Sequence, residues 1–303
     1  MKNDFIKSPL NYTGGKTKLL PQIYPLFPKE IDTFVDMFCG GCNVGINVQA
    51  NRIIYNDINK YLIGLFKVLK KYDYDTIKAK IEKIISEYGL SDSTSKGYSY
   101  YRCESGAGLG SYNKEPYIEL RKAFNSKTKV DDGYYLYLFT LIVYCFNNQI
   151  RFNRKGEFNL PVGKRDFNSN IKENLRRFVK ALHVQKCDFL MEDFRNIAIG
   201  DLHEGDFVYC DPPYLIATAS YNESNGWQPT DDNALLNYLD KLNCHKVKFA
   251  LSNVIRHKGK TNYALINWAK KYNMHMLNFN YNNSSYHGKF KDEITEEVLI
   301  TNY

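Results

Sequence analysis

Residues 206–214, Asp206-Phe-Val-Tyr-Cys-Asp-Pro-Pro-Tyr214, limit the fold more than any other stretch of the chain. Phe207 to Cys210 form a short apolar, aromatic run between turn formers, the pattern of a buried strand. The run must stop at Asp211, because Pro212 and Pro213 cannot continue a sheet ladder and each holds its neighbour in extended or turn geometry. A stiff loop carrying an acid is thus presented at the strand's carboxyl end. In an open α/β sheet that edge is where ligands bind.

The same device recurs upstream. Thr33 to Phe38 reads as a strand, Cys39-Gly-Gly-Cys-Asn-Val-Gly45 as a tight glycine turn opening a helix, and Arg52 to Asp57 as a second strand ending in an acid. Glycines there let a ligand approach the backbone closely. An acid about 20 residues past the first glycines suits the ribose hydroxyls of a nucleoside cofactor. Gly40-Gly41-Cys42-Asn43-Val44-Gly45 does not match the Gly-x-Gly-x-x-Gly dinucleotide fingerprint. S-adenosylmethionine carries no phosphate, so the looser turn suits it better. Cys187 to Asp193 resumes the strand pattern, and Asp193-Phe194 is an acid–aromatic pair suited to binding and stacking a cofactor adenine.

Residues 8–20 read as a turn leading into a helix that continues to about Leu26. Gly15-Lys16-Thr17 is not the end of a P-loop, since position 10 is Leu rather than Gly. Cys39-x-x-Cys42 has no second pair with which to hold zinc and reads as coincidental small residues. None of the six His falls at metal-ligand spacing, so no metal is expected. From Leu62 to Tyr144 the periodicity is helical, with Ile77, Ile81, Ile84 and Ile85 on one face and a Ser/Gly/Tyr-rich loop over Ser91–Gly110 whose tyrosines mostly pack. Residues 147–165 form a hairpin pattern around Arg154-Lys155-Gly156. Residues 147–187 hold ten Lys/Arg against three Asp/Glu, nearly the whole excess of a chain whose net charge is +8. Arg, Asn and Gln make bidentate contacts with purines in the major groove, where a two-stranded ribbon fits, so DNA contact is expected there. Tyr221 and Trp227 lie in a loop expected over the site; a helix at 231–242, a strand at 247–253, a helix at 261–272 and strands near 275–281 and 296–302 complete the sheet.

Composition excludes little: 44% hydrophobic and 24% charged residues are ordinary for a soluble globular chain. No run of about 18 apolar residues suggests a membrane span, and the N-terminus carries no signal-peptide core. Seven scattered cysteines, an odd number, point to a reduced cytoplasmic setting.

Asp211-Pro-Pro-Tyr214 resembles the signature of N6-adenine methyltransferases. With Asn11-Tyr-Thr-Gly-Gly-Lys16, Phe34-Val-Asp-Met-Phe-Cys-Gly-Gly41, Asn56-Asp57, Arg151-Phe-Asn-Arg-Lys-Gly-Glu-Phe-Asn-Leu-Pro161 and Asp193-Phe194, it makes the chain similar to the Dam family of DNA adenine methyltransferases (the D12, or α-type, class), its phage-type members above all. The resemblance implies an α/β, Rossmann-like class I S-adenosylmethionine-dependent core at residues 1–61 and 186–303, with a helical and β-hairpin target-recognition insert at 62–185. It implies base chemistry at Asp211, Pro212, Pro213 and Tyr214, and cofactor contacts at Tyr12, Lys16, Asp36, Phe38, Gly40, Asp57, Asp193 and Phe194. DNA contacts are expected at Asn147, Gln149, Arg151, Asn153, Arg154, Pro161, Lys164 and Arg165.

The residue types fit that chemistry. The exocyclic amine of adenine is a poor nucleophile, its lone pair delocalised into the ring; Asp211 and the Pro212 carbonyl can each accept one N6–H, and Tyr214 can stack on a base taken out of the duplex. The expected partner is double-stranded DNA, the donor S-adenosyl-L-methionine and the product S-adenosyl-L-homocysteine. The expected target is GATC or a related short site; Asn147 and Gln149 stand where GATC-methylating relatives carry small or apolar residues, which points away from GATC itself. An orphan enzyme and one arm of a restriction–modification system with a cognate endonuclease are both compatible, as a monomer on DNA in a bacterial or phage-infected cytoplasm. Methylation of RNA adenine or of protein glutamine, or DNA binding without catalysis, are the alternatives.

Overall fold

The computed structural model describes residues 4–103, 106–216, 226–278 and 295–303; Tyr221 lies outside them. The helices are α1 (Leu20–Ile23), α2 (Lys60–Lys71), α3 (Tyr74–Tyr88), α4 (Ser93–Tyr100), α5 (Gly110–Asn125), α6 (Asp132–Tyr144), α7 (Ser169–Val184), α8 (Pro229–Cys244) and α9 (Tyr263–Ala269). The strands are β1 (Thr33–Asp36), β2 (Arg52–Asn56), β3 (Cys187–Leu190), β4 (Phe207–Cys210), β5 (Lys248–His257), β6 (Lys260–Thr261), β7 (Asn273–Leu277) and β8 (Thr295–Thr301). The chain divides into two compact units, one of Met1–Phe5, Lys16–Ile58 and Lys186–Tyr303, the other of Ile6–Gly15 and Asn59–Gln185.

The first unit is built on one sheet in the order β3-β2-β1-β4-β5-β8-β7, with β6 paired to β5. Strands β1 to β5 run parallel, while β8 is antiparallel to both β5 and β7. This is the Rossmann-like α/β core that the resemblance implies. All four residues of β4 are buried, as expected of a parallel strand covered on both faces. On one face Phe27 meets Phe207 edge-on at 4.9 Å and Phe34 packs 5.6 Å from Phe207. Each fully buried Phe contributes about 1.5–3 kcal/mol. On the other face Val35, Val208, Phe249 and Leu251 join Leu235 and Leu239 of α8 and Leu265 of α9.

Register decides where the chemistry lies. Asp36 pairs with Tyr209 of β4 and Tyr55 of β2, and Asn56 pairs with Leu190 of β3. The acids that follow these strands therefore leave along one carboxyl edge of the sheet. Strand β8, running the other way, starts at that edge and sets Glu297 opposite Val254.

Two expectations in this unit need correction. The N-terminal helix is a single α-turn between 3-10 turns at Lys16–Lys18 and Tyr24–Leu26, because Pro25 has no N–H with which to extend the ladder. The glycine turn opens no α-helix either; only a 3-10 turn, Gly45–Asn47, follows before β2 begins at Arg52.

In the second unit, α6 is buried almost throughout its length, as a helix apolar all round must be. Asn59, Asp73, Asp92, Asp131 and Asn168 cap α2, α3, α4, α6 and α7 by accepting first-turn N–H groups. Asp92 thereby starts a helix inside the Ser91–Gly110 stretch expected to be a loop. The expected hairpin forms no regular ladder and has only the isolated bridges Cys145–Val162 and Phe152–Phe158. Asn147 and Asn148, at φ 56° and 52°, take the chain out of extended geometry at its base. At its tip the Asn153 side-chain Oδ1 accepts the N–H groups of Lys155 and Glu157, and the Asn153 backbone carbonyl accepts that of Gly156, closing a turn.

Candidate active site

Beyond β4, the Asp211 carboxylate lies 2.8 Å from the Lys16 ammonium and accepts a hydrogen bond from the Tyr214 hydroxyl at 3.0 Å. The same hydroxyl reaches Glu297 Oε1 at 2.9 Å, and Lys16 Nζ stands 3.6 Å from that carboxylate. Lys16 also faces the Tyr214 ring, 5.0 Å from its centroid. Lys16 and Glu297 are buried, at 4% and 2% exposure, whereas Asp211 keeps 18% and so has an outward-facing side. Burial raises the Asp211 carboxyl above its ordinary range; Lys16 pulls it back and Glu297 pushes it further up. Burial also lifts the Tyr214 hydroxyl well above its ordinary value, so it remains a donor at neutral pH. Among the described residues, the buried Tyr209 hydroxyl and Ser252 Oγ are left without a hydrogen-bond partner.

Along the same edge, Asp36 is 1% exposed and accepts the Gly45 N–H at 3.0 Å. Burial pushes its carboxyl up to about 7, against the Gly45 bond and with help from Asp211 and Asp57. Gly45 is required sterically: a Cβ there would lie 2.5 Å from Tyr55 Cε1 and 2.9 Å from Asp36 Oδ2. Gly40, at φ 47°, donates its N–H to Asp57 Oδ2 at 2.9 Å. Asn56 fixes this edge, its amide donating to the Met37 and Glu192 carbonyls while its oxygen accepts the Glu192 N–H, each at 3.0 Å. Ile58, directly after Asp57, is 71% exposed. The thiols of Cys39 and Cys42 are free and buried, and burial raises Cys42 to about 11, far from a reactive thiolate.

Phe38 packs 5.6 Å from Phe194 and edge-on to Trp227 at 5.8 Å, while the Trp227 indole N–H donates to Asp232. Phe194 is buried, and Asp193 accepts the Arg195 N–H at the head of a 3-10 turn. The cavity beside Phe194, about 490 Å³ along α8, is lined by none of Asp36, Asp57 or Asp211.

In the second unit, Tyr12 is half-buried in a turn closed by the Gly15 N–H on its carbonyl. Asn147 and Pro161 are exposed; Gln149 is half-buried. Arg151 turns inward to donate to the Asn159 side chain and carbonyl, and the Asn153 amide donates to Glu157. Arg154, Lys164 and Arg165 are exposed and form no ion pair among the described residues. Arg151 and Asn153 thus have local structural partners, and the exposed cations stand outward.

Residues 12–283 match the family model of D12 class N6 adenine-specific DNA methyltransferases. The chain belongs to that family. This D12-class chain is 46% identical over 307 aligned positions to Type II methyltransferase M.FokI of Planomicrobium okeanokoites and 42% identical to Modification methylase StsI of Streptococcus sanguinis. Each alignment covers 99% of the chain but 43% of the relative, so the chain spans less than half the length of these curated relatives. It is also 27% identical over 249 positions to a DNA adenine methylase of Serratia marcescens, covering 80% of the chain and 82% of that protein.

Three residues along this edge were given no role in the sequence reading. Ile58 carried a signal, an apolar residue directly after a strand-ending acid. Asn56 carried a weaker one, an amide beside that acid. Glu297 lies in the closing Glu-Glu-Val-Leu-Ile-Thr-Asn-Tyr303 that matches the family, but its role had no local signal, because its partners come from residues 16 and 214. Among the described residues, no group of His, Cys, Asp and Glu is arranged to hold a metal ion, and no helix is long and apolar enough to cross a membrane.

Proposed function

We propose that the chain is a site-specific DNA adenine-N6 methyltransferase that uses S-adenosyl-L-methionine and acts on an adenine flipped out of duplex DNA. The observation that carries this reading is the Asp211-Pro-Pro-Tyr214 loop at the sheet edge, its carboxylate held by a buried lysine and a tyrosine hydroxyl. Asp211 and the Pro212 carbonyl each accept one N6–H, which orients the amine and localises its lone pair. Tyr214 offers its ring to the extruded base.

The donor set along the edge fits the cofactor. Asp57 and Gly40 suit ribose hydroxyls, and the exposed Ile58 suits the face of an adenine. Asp36, a buried acid costly to ionise, suits an ammonium that would repay its desolvation. Phe38 and the Asp193-Phe194 pair flank the adenine end in this reading, and Lys16 stands beside Asp211 at the methyl-transfer end. When bound, S-adenosylmethionine supplies an electrophilic methyl on a cationic sulfur and leaves as S-adenosylhomocysteine. The amine forms one N–C bond and loses one N6 proton, for which Asp211 is the acceptor at hand. A sulfonium leaving group needs no Lewis acid.

Residues 62–185 serve as the target-recognition insert in this reading. Arg154, Lys164 and Arg165 meet phosphates, and Asn147 and Gln149 read bases of GATC or a related short site. Similarity to proteins named Type II methyltransferase and modification methylase supports a restriction–modification role with a cognate endonuclease. The mechanism is tested with Asp211→Ala and a labelled methyl donor. The variant is expected to bind cofactor and DNA near wild-type affinity while methyl transfer to DNA disappears; substantial transfer would sink the mechanism.

A further inference from the structure

We propose that Glu297 is a positioning residue of the methyl-transfer site, an alternative acceptor that takes over the Tyr214 hydroxyl so that Asp211 can accept the substrate amine. The proposal rests on the adenine-methyltransferase reading above and deepens it. One hydroxyl stands 3.0 Å from Asp211 Oδ1 and 2.9 Å from Glu297 Oε1, and a single O–H cannot be donated fully to both. Held on Asp211, that proton occupies a lone pair the N6–H needs. Moved to Glu297, it leaves Oδ1 open while Tyr214 stays tethered. Lys16, 2.8 Å from Asp211 and 3.6 Å from Glu297, is common to both arrangements and keeps the two acids from facing each other uncompensated.

The location supports a role beyond packing. Glu297 is 2% exposed and is followed directly by the buried Val298, Leu299 and Ile300, where an apolar residue would be the simpler occupant. A buried carboxylate that bonds the tyrosine of the Asp211 loop is costly unless those bonds are used.

The test compares Glu297→Leu with Glu297→Gln, whose carbonyl can still accept the tyrosine hydroxyl. For Glu297→Leu, kcat is expected to fall on the order of 10- to 100-fold, the worth of a hydrogen bond to a charged group, with cofactor Kd changed less than about threefold. Glu297→Gln should recover most of that loss. An independent readout is the titration of the Asp211 carboxyl in the cofactor-free protein, followed by carbon-13 NMR and assigned with Asp211→Asn. The groups facing Asp211 are Lys16, Glu297 and Tyr214, with Cys210, Tyr209 and Asp36 deeper. Removing the Glu297 charge should move the Asp211 midpoint to lower pH in both variants. Equal kcat losses in the two variants, or an Asp211 midpoint unmoved in folded Glu297→Gln, overturn the proposal. If Glu297→Leu does not fold, Glu297→Gln decides by the titration alone. Absence of DNA methylation by the wild-type chain would instead refute the functional reading and leave the titration result standing.

Discussion

Replacing Asp36 by Asn isolates what the fold loses by burying an ionisable acid at its ligand edge. An ordinary aspartate titrates at 3.8 and Asp36 in the folded chain at about 7. Between these values the folded chain holds a proton that the unfolded chain has released, so stability must fall as pH rises through the window. At about 1.4 kcal/mol per pH unit the ceiling on that loss is about 4 kcal/mol. It is absent below pH 4, where both states are protonated, and complete above pH 7, where both are ionised. Asn cannot titrate, so urea unfolding of wild type and Asp36→Asn from pH 4 to pH 8 cancels the other acids. The stability of wild type relative to the variant is expected to drop by about 2–4 kcal/mol across that range, most steeply between pH 5 and pH 7. A difference that stays flat would refute the argument that burial dominates at this carboxyl. The cofactor offers the reciprocal check: if its ammonium meets Asp36, wild-type affinity should rise with pH through about 7, and that rise should vanish in Asp36→Asn.

Gly45→Ala forces a Cβ against Tyr55 and Asp36; it should cost about 1–3 kcal/mol in urea unfolding and weaken cofactor binding in calorimetry. Lys16→Met leaves Asp211 and Glu297 facing each other without their ammonium; a stability loss of about 3–5 kcal/mol is expected from denaturation, and a loss under about 1 would contradict the burial of the cluster. Replacing Arg154, Lys164 and Arg165 by Ala should lower the log–log salt slope of DNA binding by about 0.9 for each cation that touches a phosphate, with cofactor affinity unchanged.

The carboxyl edge was legible because its signals are local. Two prolines after an apolar run fix where β4 ends, and a strand-ending acid marks Asp57 without knowledge of the fold; Asp36, read inside a strand running to Phe38, came from the family resemblance. Where the reading failed, a side chain or a neighbouring turn overrode the pattern. The stretch before Phe27 reads as one helix to Leu26, and it is helical to that point, but with Pro25 in it only Leu20–Ile23 is α and Tyr24–Leu26 is 3-10. A Ser/Gly/Tyr-rich stretch reads as loop, yet Asp92 caps α4 within it. Alternation on either side of Arg154-Lys155-Gly156 reads as a hairpin, and the chain does turn back there with antiparallel bridges, but left-handed Asn147 and Asn148 at its base keep it from a regular ladder. Arg151 and Asn153, expected among the DNA contacts from residue type and from the family resemblance, also bond Asn159 and Glu157 within the chain, a local role that residue type does not disclose. Glu297 was invisible because nothing local distinguishes an acid in a closing strand from a solvated one; only the fold brings it to Lys16 and Tyr214.

The most direct test of the central claim is long-read sequencing of a plasmid grown in a methylation-deficient host that expresses this chain, beside the Asp211→Ala variant. N6-methyladenine at one short motif, present with wild type and absent with the variant, is the expected result and would identify the target. A folded, cofactor-binding wild-type chain that leaves every adenine unmodified would contradict it.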